Sequence, residues 1–355
     1  MNAQTSSASA SSANAASANA PALAARPGIA ASGRGLLGRI GFLPALLILV
    51  VAGMSAIDPQ FYGPINILNI LRNASFLTIV ACGQALVIIA GGFDLSVGAV
   101  VALASVVTAK TMGMLAAAFP GNEALVIAGG VAAGLGSGAA VGLVNGLCVA
   151  RLKVSGFVVT LGTMSATAGV ALMITSGIPV YGMPQSFVRE FGRAQFLGLP
   201  TAIYVALIVL LAMVFVQRRS LFGRYVYAIG GNADAAIVSG VGIRRHLVGT
   251  YVLSGVLAAL AGILLTAQVG SGQASFGGDR MMLQSIAAAV IGGVSLRGGV
   301  GRVEIVAVSA LFLTILGNAL NLLHIDSRLQ PVFLGVIMVA AVALDELGRR
   351  RKARV

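Results

Sequence analysis

From Gly41 to Leu347 the chain alternates ten apolar stretches with short polar joints, and that alternation decides what it can fold into. Crossing ~30 Å of hydrocarbon takes about 20 mostly apolar residues in a helix. In lipid, every backbone N–H and C=O must be satisfied inside its own segment, so such stretches are helices. The chain is 58% hydrophobic and only 9% charged, whereas a soluble globule carries roughly 25% charge. The fold class expected is therefore all-α: a polytopic transmembrane helical bundle. The expected spans are 41–57, 67–90, 95–118, 124–150, 154–175, 201–216, 246–267, 281–294, 303–323 and 331–347. The eighth is short enough to be a broken or re-entrant segment.

Basic residues orient the bundle. With the N-terminus in the cytoplasm and ten spans, seventeen of the twenty-three Lys and Arg residues fall on the inside, among them Arg218, Arg219, Arg224, Arg244, Arg245, Arg297 and the C-terminal cluster from Arg349. This is the bias that cytoplasmic joints show, and it places both termini inside. It also accounts for the net charge of +13 without nucleic acid. Residues 1–39, rich in Ala, Ser and Asn, read as a disordered cytoplasmic tail. Residues 40–348 form the membrane domain and 349–355 a basic cytoplasmic tail.

Several chemistries are excluded or unsupported. The chain has no Gly-Lys dipeptide, so it has no phosphate-binding loop of the Gly-Lys-Ser/Thr type. Cys82 and Cys148 lie inside apolar stretches with no metal-ligand spacing, and His246 and His324 lie at segment ends. No metal site and no catalytic residue is expected.

Three polar features stand out. The first is Gly91-Gly92-Phe93-Asp94-Leu95-Ser96-Val97-Gly98. Paired glycines end a helix, and Asp or Ser caps the next one. An ionisable group between two long apolar spans is also a candidate functional residue by default. The second, Gly292-Gly293-Val294-Ser295-Leu296-Arg297-Gly298-Gly299, echoes the first. The third is the inward joint 217–245, which contains Gly223–Val241. Small residues there permit close approach by a partner, and Asn232 caps a short helix from Ala233 to about Val238.

Together with Asn145-Gly146, Phe157–Met164 and Asn318–Leu323, these segments resemble the permease subunit of ABC sugar importers of the ribose/xylose/arabinose/galactose type. The resemblance runs from about Asn66 to the C-terminus. It implies a multi-pass protein of the bacterial inner membrane that moves a monosaccharide inward. Its implied partners are a second permease copy, most simply a homodimer, a cytoplasmic ATPase that binds ATP and Mg, and a periplasmic sugar-binding protein. No cofactor belongs to this chain. The resemblance places the ATPase-docking loop on Gly223, Arg224, Ala228, Gly230, Asn232, Ala235, Ala236, Ser239 and Gly240.

A neutral sugar needs donors and acceptors along its path, held loosely enough to release it. The candidates for path or gate are Gln84, Asp94, Ser96, Asn145, Thr160 and Asn318, with Asn69 and Asn321 beside them. The chain departs from the family's usual pattern at Ala168, at Met282-Leu283-Gln284 and at Ile237-Val238. The chief rival reading is an ion-coupled secondary transporter, which needs a carboxylate relay for which only Asp94 and Glu304 are near candidates. A membrane scaffold or receptor subunit is the non-transport rival.

Overall fold

The computed structural model describes residues 43–326 and, beyond them, 328, 329, 331–333, 335, 336, 339 and 340. Both expected tails, 1–39 and 349–355, and most of the expected tenth span lie outside the described residues. What is described is almost entirely helical: α1 (Leu43–Ile57), α2 (Pro64–Ile89), α3 (Val97–Ala118), α4 (Glu123–Leu152), α5 (Gly156–Thr175), α6 (Thr201–Arg219), α7 (Leu221–Gly231), α8 (Ala233–Val238), α9 (Ile243–Val269), α10 (Gly278–Ile291) and α11 (Val303–Leu322). Seven of these, α2 to α6, α9 and α11, are long and apolar enough to cross a membrane. α1 is shorter. α10 spans 14 residues, about 21 Å at 1.5 Å per residue, which is short of the hydrocarbon thickness, as the sequence foresaw.

α2 is the central post. Its most apolar stretch is 89% buried, against 17% in α5, and α9, α11, α6 and α10 all pack on it. The outward faces of α5 and α6 carry exposed Phe157, Leu161, Met173, Ile208, Leu211 and Phe215. Apolar faces of that extent belong to helices whose surroundings are lipid or another apolar partner.

α4 is held against α9 by glycine. Gly130, Gly134, Gly138, Gly142 and Gly146 recur every fourth residue and are buried. A methyl group at Gly146 would come within 2.7 Å of Val248 Cα, and one at Gly142 within 2.8 Å of Val252 Cα. Apolar side chains gain little by leaving lipid for one another, so close van der Waals contact between backbones is what joins such helices.

The joint 176–200, expected on the outward side, is an ordered cap. It contains a π-helical turn, Phe187–Arg193, and a two-residue hairpin pairing Gln195–Phe196 with Leu199–Pro200. Its turn is Leu197-Gly198, both at positive φ. Phe187 is fully buried, and Val180 and Gly272 exchange two backbone hydrogen bonds of 2.8 Å.

The glycine seam makes one prediction. Gly142→Ala puts a methyl group into the α9 backbone and destabilises the bundle by about 1–3 kcal/mol, the usual cost of overpacking a filled core. Gly136, on the same helix, has nothing within 4 Å of the equivalent position. Gly136→Ala therefore leaves the protein as stable or slightly more so, given alanine's better helix propensity. Thermal unfolding of the two variants in detergent measures the difference.

Candidate functional site

Three polar constructions occupy the bundle, and the residues singled out in the sequence divide among them. The first lies at the break between α2 and α3. Gly91 ends α2 in the left-handed region at φ +83°, with Gly91 N bonded to Ile88 O and Gly92 N to Val87 O, the paired bonds of a Schellman end. α10 ends the same way at Gly293, φ +76°, through Gly293 N to Val290 O and Val294 N to Ala289 O. The echo seen in the sequence is thus structural, with its register shifted by one residue.

Just past the first break, Asp94 is 1% exposed. Its Oδ1 accepts from Ser96 N at 3.0 Å and from Ser96 Oγ at 2.6 Å, and its Oδ2 accepts from Ser254 Oγ at 2.9 Å. Asn145 Nδ2 donates to Ser96 Oγ at 2.9 Å, and Thr163 Oγ1 donates to Asn145 Oδ1 at 2.7 Å. Leu95 N donates to Thr160 Oγ1 at 3.0 Å, and Tyr251 OH donates to Phe93 O at 3.2 Å. Asp94, Ser96, Asn145 and Thr160 therefore belong to one closed network tying α3 to α4, α5 and α9. Ser254, Tyr251 and Thr163 complete it. The sequence signal for these three was slight, since Ser, Thr and Tyr are unremarkable in an apolar helix.

The second construction is an open cavity of about 500 Å³ between α2, α10 and α11. Asn73, Ser275, Arg280, Gln284, Thr314, Asn318 and Asn321 supply its polar lining, and Phe76, Leu77 and Leu313 are among its apolar lining. Asn318 is held from behind. Asn66 Nδ2 donates to Asn318 Oδ1 at 3.1 Å, and Asn318 Nδ2 donates to Asn66 Oδ1 at 2.7 Å. Of the path candidates only Asn318, with Asn321 beside it, lines this cavity. Asn69 instead pairs with Arg72. Gln84 lies deeper in α2, fully buried. Asn73 and Gln284 went unselected, although Asn73 shares a helix face with Asn66 and Asn69 in a segment otherwise apolar.

The third construction is the joint expected on the inward side, which folds as α7 and α8. Ser220 caps α7 through its Oγ, which accepts from Gly223 N at 2.9 Å. Asn232 caps α8, its side chain accepting from Ala235 N at 2.9 Å. Of the nine docking residues, Arg224, Ala228, Asn232, Ala235, Ser239 and Gly240 are exposed, while Gly223, Gly230 and Ala236 turn inward. Ile237 and Val238 are exposed beside them, Val238 to 89%. They are large apolar side chains outside any span, a signal of partner contact that the sequence reading noted only as a departure.

Gly230 is where the joint meets the two helix ends. Ile89 O accepts from Gly299 N at 2.8 Å. A methyl group at Gly230 would overlap Ile89 O and come within 2.6 Å of Gly299 N. One at Gly298 would stand 3.1 Å from Gly91 Cα. The three segments singled out in the sequence thus touch one another backbone to backbone. Alongside, Gln217 Nε2 donates to Gly301 O at 3.2 Å, and Gln217 Oε1 accepts from Val303 N at 3.2 Å. Tyr227 OH bonds both Gln217 and Gly301 O. Burial pushes the Tyr227 hydroxyl up to about 12, so it remains a donor at neutral pH. Glu304 pairs with Arg218 and Arg302.

The Asp94 network separates two substitutions. Asp94→Asn keeps an acceptor for Ser96 and a group that Ser254 can face by rotating its hydroxyl, so most stability is retained. Asp94→Ala strands three buried donors, each costing about 1–3 kcal/mol when unsatisfied. Melting temperatures in detergent should rank native, Asn and Ala in that order, with the larger step between Asn and Ala.

Comparison with known proteins gives the arrangement its context. Residues 66–342 match the family model described as branched-chain amino acid transport system / permease component. The chain is 39% identical to the ribose import permease protein RbsC of Bacillus subtilis (strain 168), over 88% of this chain and 94% of that one. It is 36% identical to the D-allose transport system permease protein AlsC of Escherichia coli (strain K12), over 85% and 90% of the two chains. It is 38% identical to the L-arabinose transport system permease protein AraH of the same strain, over 89% and 92%. No solved structure is a significant match. A family model covering most of the chain and relatives aligned over nearly their whole length agree: this protein belongs to the family of transport-system permease components.

Proposed function

We propose that this chain is the inner-membrane permease subunit of an ABC importer for a monosaccharide. The observation that carries the reading is that relatives 36–39% identical over almost the whole chain are named for ribose, D-allose and L-arabinose. The cavity between α2, α10 and α11 supports it. Its volume falls within the roughly 300–1,000 Å³ of small-molecule sites. Its polar lining is mainly amide, which suits a neutral, hydroxyl-rich solute needing both donors and acceptors. In this reading Asn73, Gln284, Asn318 and Asn321 form the outward part of the path. The Asp94, Ser96, Asn145 and Thr160 network acts as the inner brace of the gate rather than as solute contact.

The remaining parts follow from that assignment. ATP and Mg bind to a separate ATPase. That subunit docks on the exposed faces of α7 and α8, through Arg224, Ala228, Asn232, Ala235 and Ser239 with Ile237 and Val238 at the tip. A binding protein delivers the sugar from the other side, and a second permease copy completes the pore. Ten spans with both termini cytoplasmic fit the distribution of Lys and Arg, with 1–39 and 349–355 as cytoplasmic tails around the membrane domain 40–348. The ion-coupled alternative needs a carboxylate on the path. Asp94 holds three hydrogen bonds and Glu304 two cations, and neither lines the cavity.

Reconstitution with the cognate ATPase and a panel of binding proteins loaded with ribose, arabinose or allose tests the function. ATP-dependent accumulation of at least one sugar is expected. Uptake driven by an ion gradient with the ATPase absent would overturn the reading. Docking has its own measurement. Ala235→Trp adds bulk to the exposed face of α8, whereas Gly240 sits at φ +80°, where a side chain would strain the backbone itself. Ala235→Trp should insert normally, lose co-purification of the ATPase and abolish uptake. Gln195→Trp, on the exposed outward hairpin, should do neither. Normal co-purification of the Ala235→Trp variant would place docking elsewhere.

A further inference from the structure

We propose that Gln84 is a second polar station for the transported sugar, lying beneath the cavity and engaged once the cavity floor opens. The inference rests on the cavity being the outward part of the path. Gln84 is fully buried, and neither its Nε2 nor its Oε1 has a hydrogen-bond partner among the described residues. A glutamine amide brings two donors and an acceptor, and burying them unmatched costs stability. Leucine or methionine would fill the same volume without that cost. A buried amide with every valence open is accounted for when its partner is absent from this state and arrives in another.

Its position names the partner. Ile70, Asn73, Phe76 and Leu77 line the cavity from α2. At 100° per residue, Gln84 falls near the middle of that stripe, two turns and about 10 Å inward of Leu77. Phe76, Leu77 and Leu313 are almost fully buried and form the apolar floor between cavity and amide. The cavity-lining stripes of α9, α10 and α11, carried one turn further along the same faces from Leu265, Gln284 and Leu313/Thr314, reach Ala261, Ala288 and Ala310, all fully buried. One turn beyond the cavity, then, those neighbouring faces offer alanine methyls and, from α11, Ser309, whose hydroxyl is already bonded to Ile305 O. A polyol passing the floor loses its water, and the Gln84 amide, the next on the α2 stripe after Asn73, can both donate to and accept from a pair of adjacent hydroxyls. Because it is one contact rather than a cage, the sugar is not trapped there.

The test uses the whole importer in proteoliposomes, with the panel sugar it transports best. Gln84→Leu removes the amide and keeps the bulk, and Gln84→Met does the same with a more adaptable chain should Leu insert poorly. The expected result is a melting temperature equal to or above native, ATP hydrolysis stimulated by loaded binding protein within about twofold of native, and at least a tenfold loss of sugar moved per ATP. Unchanged sugar per ATP would overturn the proposal. So would a parallel fall in melting temperature, ATP hydrolysis and uptake, which is the mark of a packing role. Asn73→Ala and Gln284→Ala test the premise. If both spare sugar moved per ATP, the cavity is not on the path and the proposal falls with it. If they lower it while Gln84→Leu does not, the proposal alone fails.

Discussion

Ile89 O accepts a hydrogen bond from Gly299 N, with Gly230 wedged against the same carbonyl, and on that contact the rest of the arrangement depends. Helix ends leave carbonyls without intrahelical partners. In a bundle with little water they must be answered by other backbone, and only residues without a Cβ let three segments approach so closely. The C-terminal end of α2, the loop after α10 and the last turn of α7 consequently meet backbone to backbone. The glycines that look like punctuation in the sequence are contacts in the structure.

The polar groups of this chain are sorted by how fully they are satisfied. Around Asp94 both carboxylate oxygens are bonded, by two hydroxyls and a backbone amide, with no cation among those partners. Such a network fixes geometry, because leaving any member unpaired costs more than making the bond gains. Around the cavity between α2, α10 and α11 amides face open space, among them Asn73, Gln284 and Asn318, the last steadied from behind by Asn66. The first arrangement suits a brace. The second suits a surface that trades hydrogen bonds with a passing solute.

Much of this was legible beforehand. Apolar periodicity located the helices to within a few residues, the Gly-Gly pairs marked two helix ends, and Asn232 marked the start of α8. α7 was not anticipated because Leu221–Gly231 contains three glycines, and only its packing against α6 and α2 overrides their poor helix propensity. The path candidates were chosen by residue type alone, which cannot tell a satisfied polar group from an open one. Asp94 and Asn318 look alike in an apolar sequence, and their difference lies in Ser254 and Asn66, one 160 residues away and the other 252. The cavity was invisible for the same reason, since α2, α10 and α11 meet only in three dimensions.

The position of α2 links the two ends of the molecule. It is one 26-residue helix without a proline beyond its first residue, so a load at one end reaches the other with little bending. Its C-terminal end meets α7 at Gly230, and its N-terminal half forms a wall of the cavity through Ile70, Asn73 and Leu77. α8 follows α7 across Asn232 alone. α8 is therefore one residue removed from the backbone contact that α7 makes with the C-terminal end of α2, and the same helix α2 carries Asn73 into the cavity wall. One helix thus carries the backbone contact with α7 at its C-terminal end and a wall of the cavity in its N-terminal half.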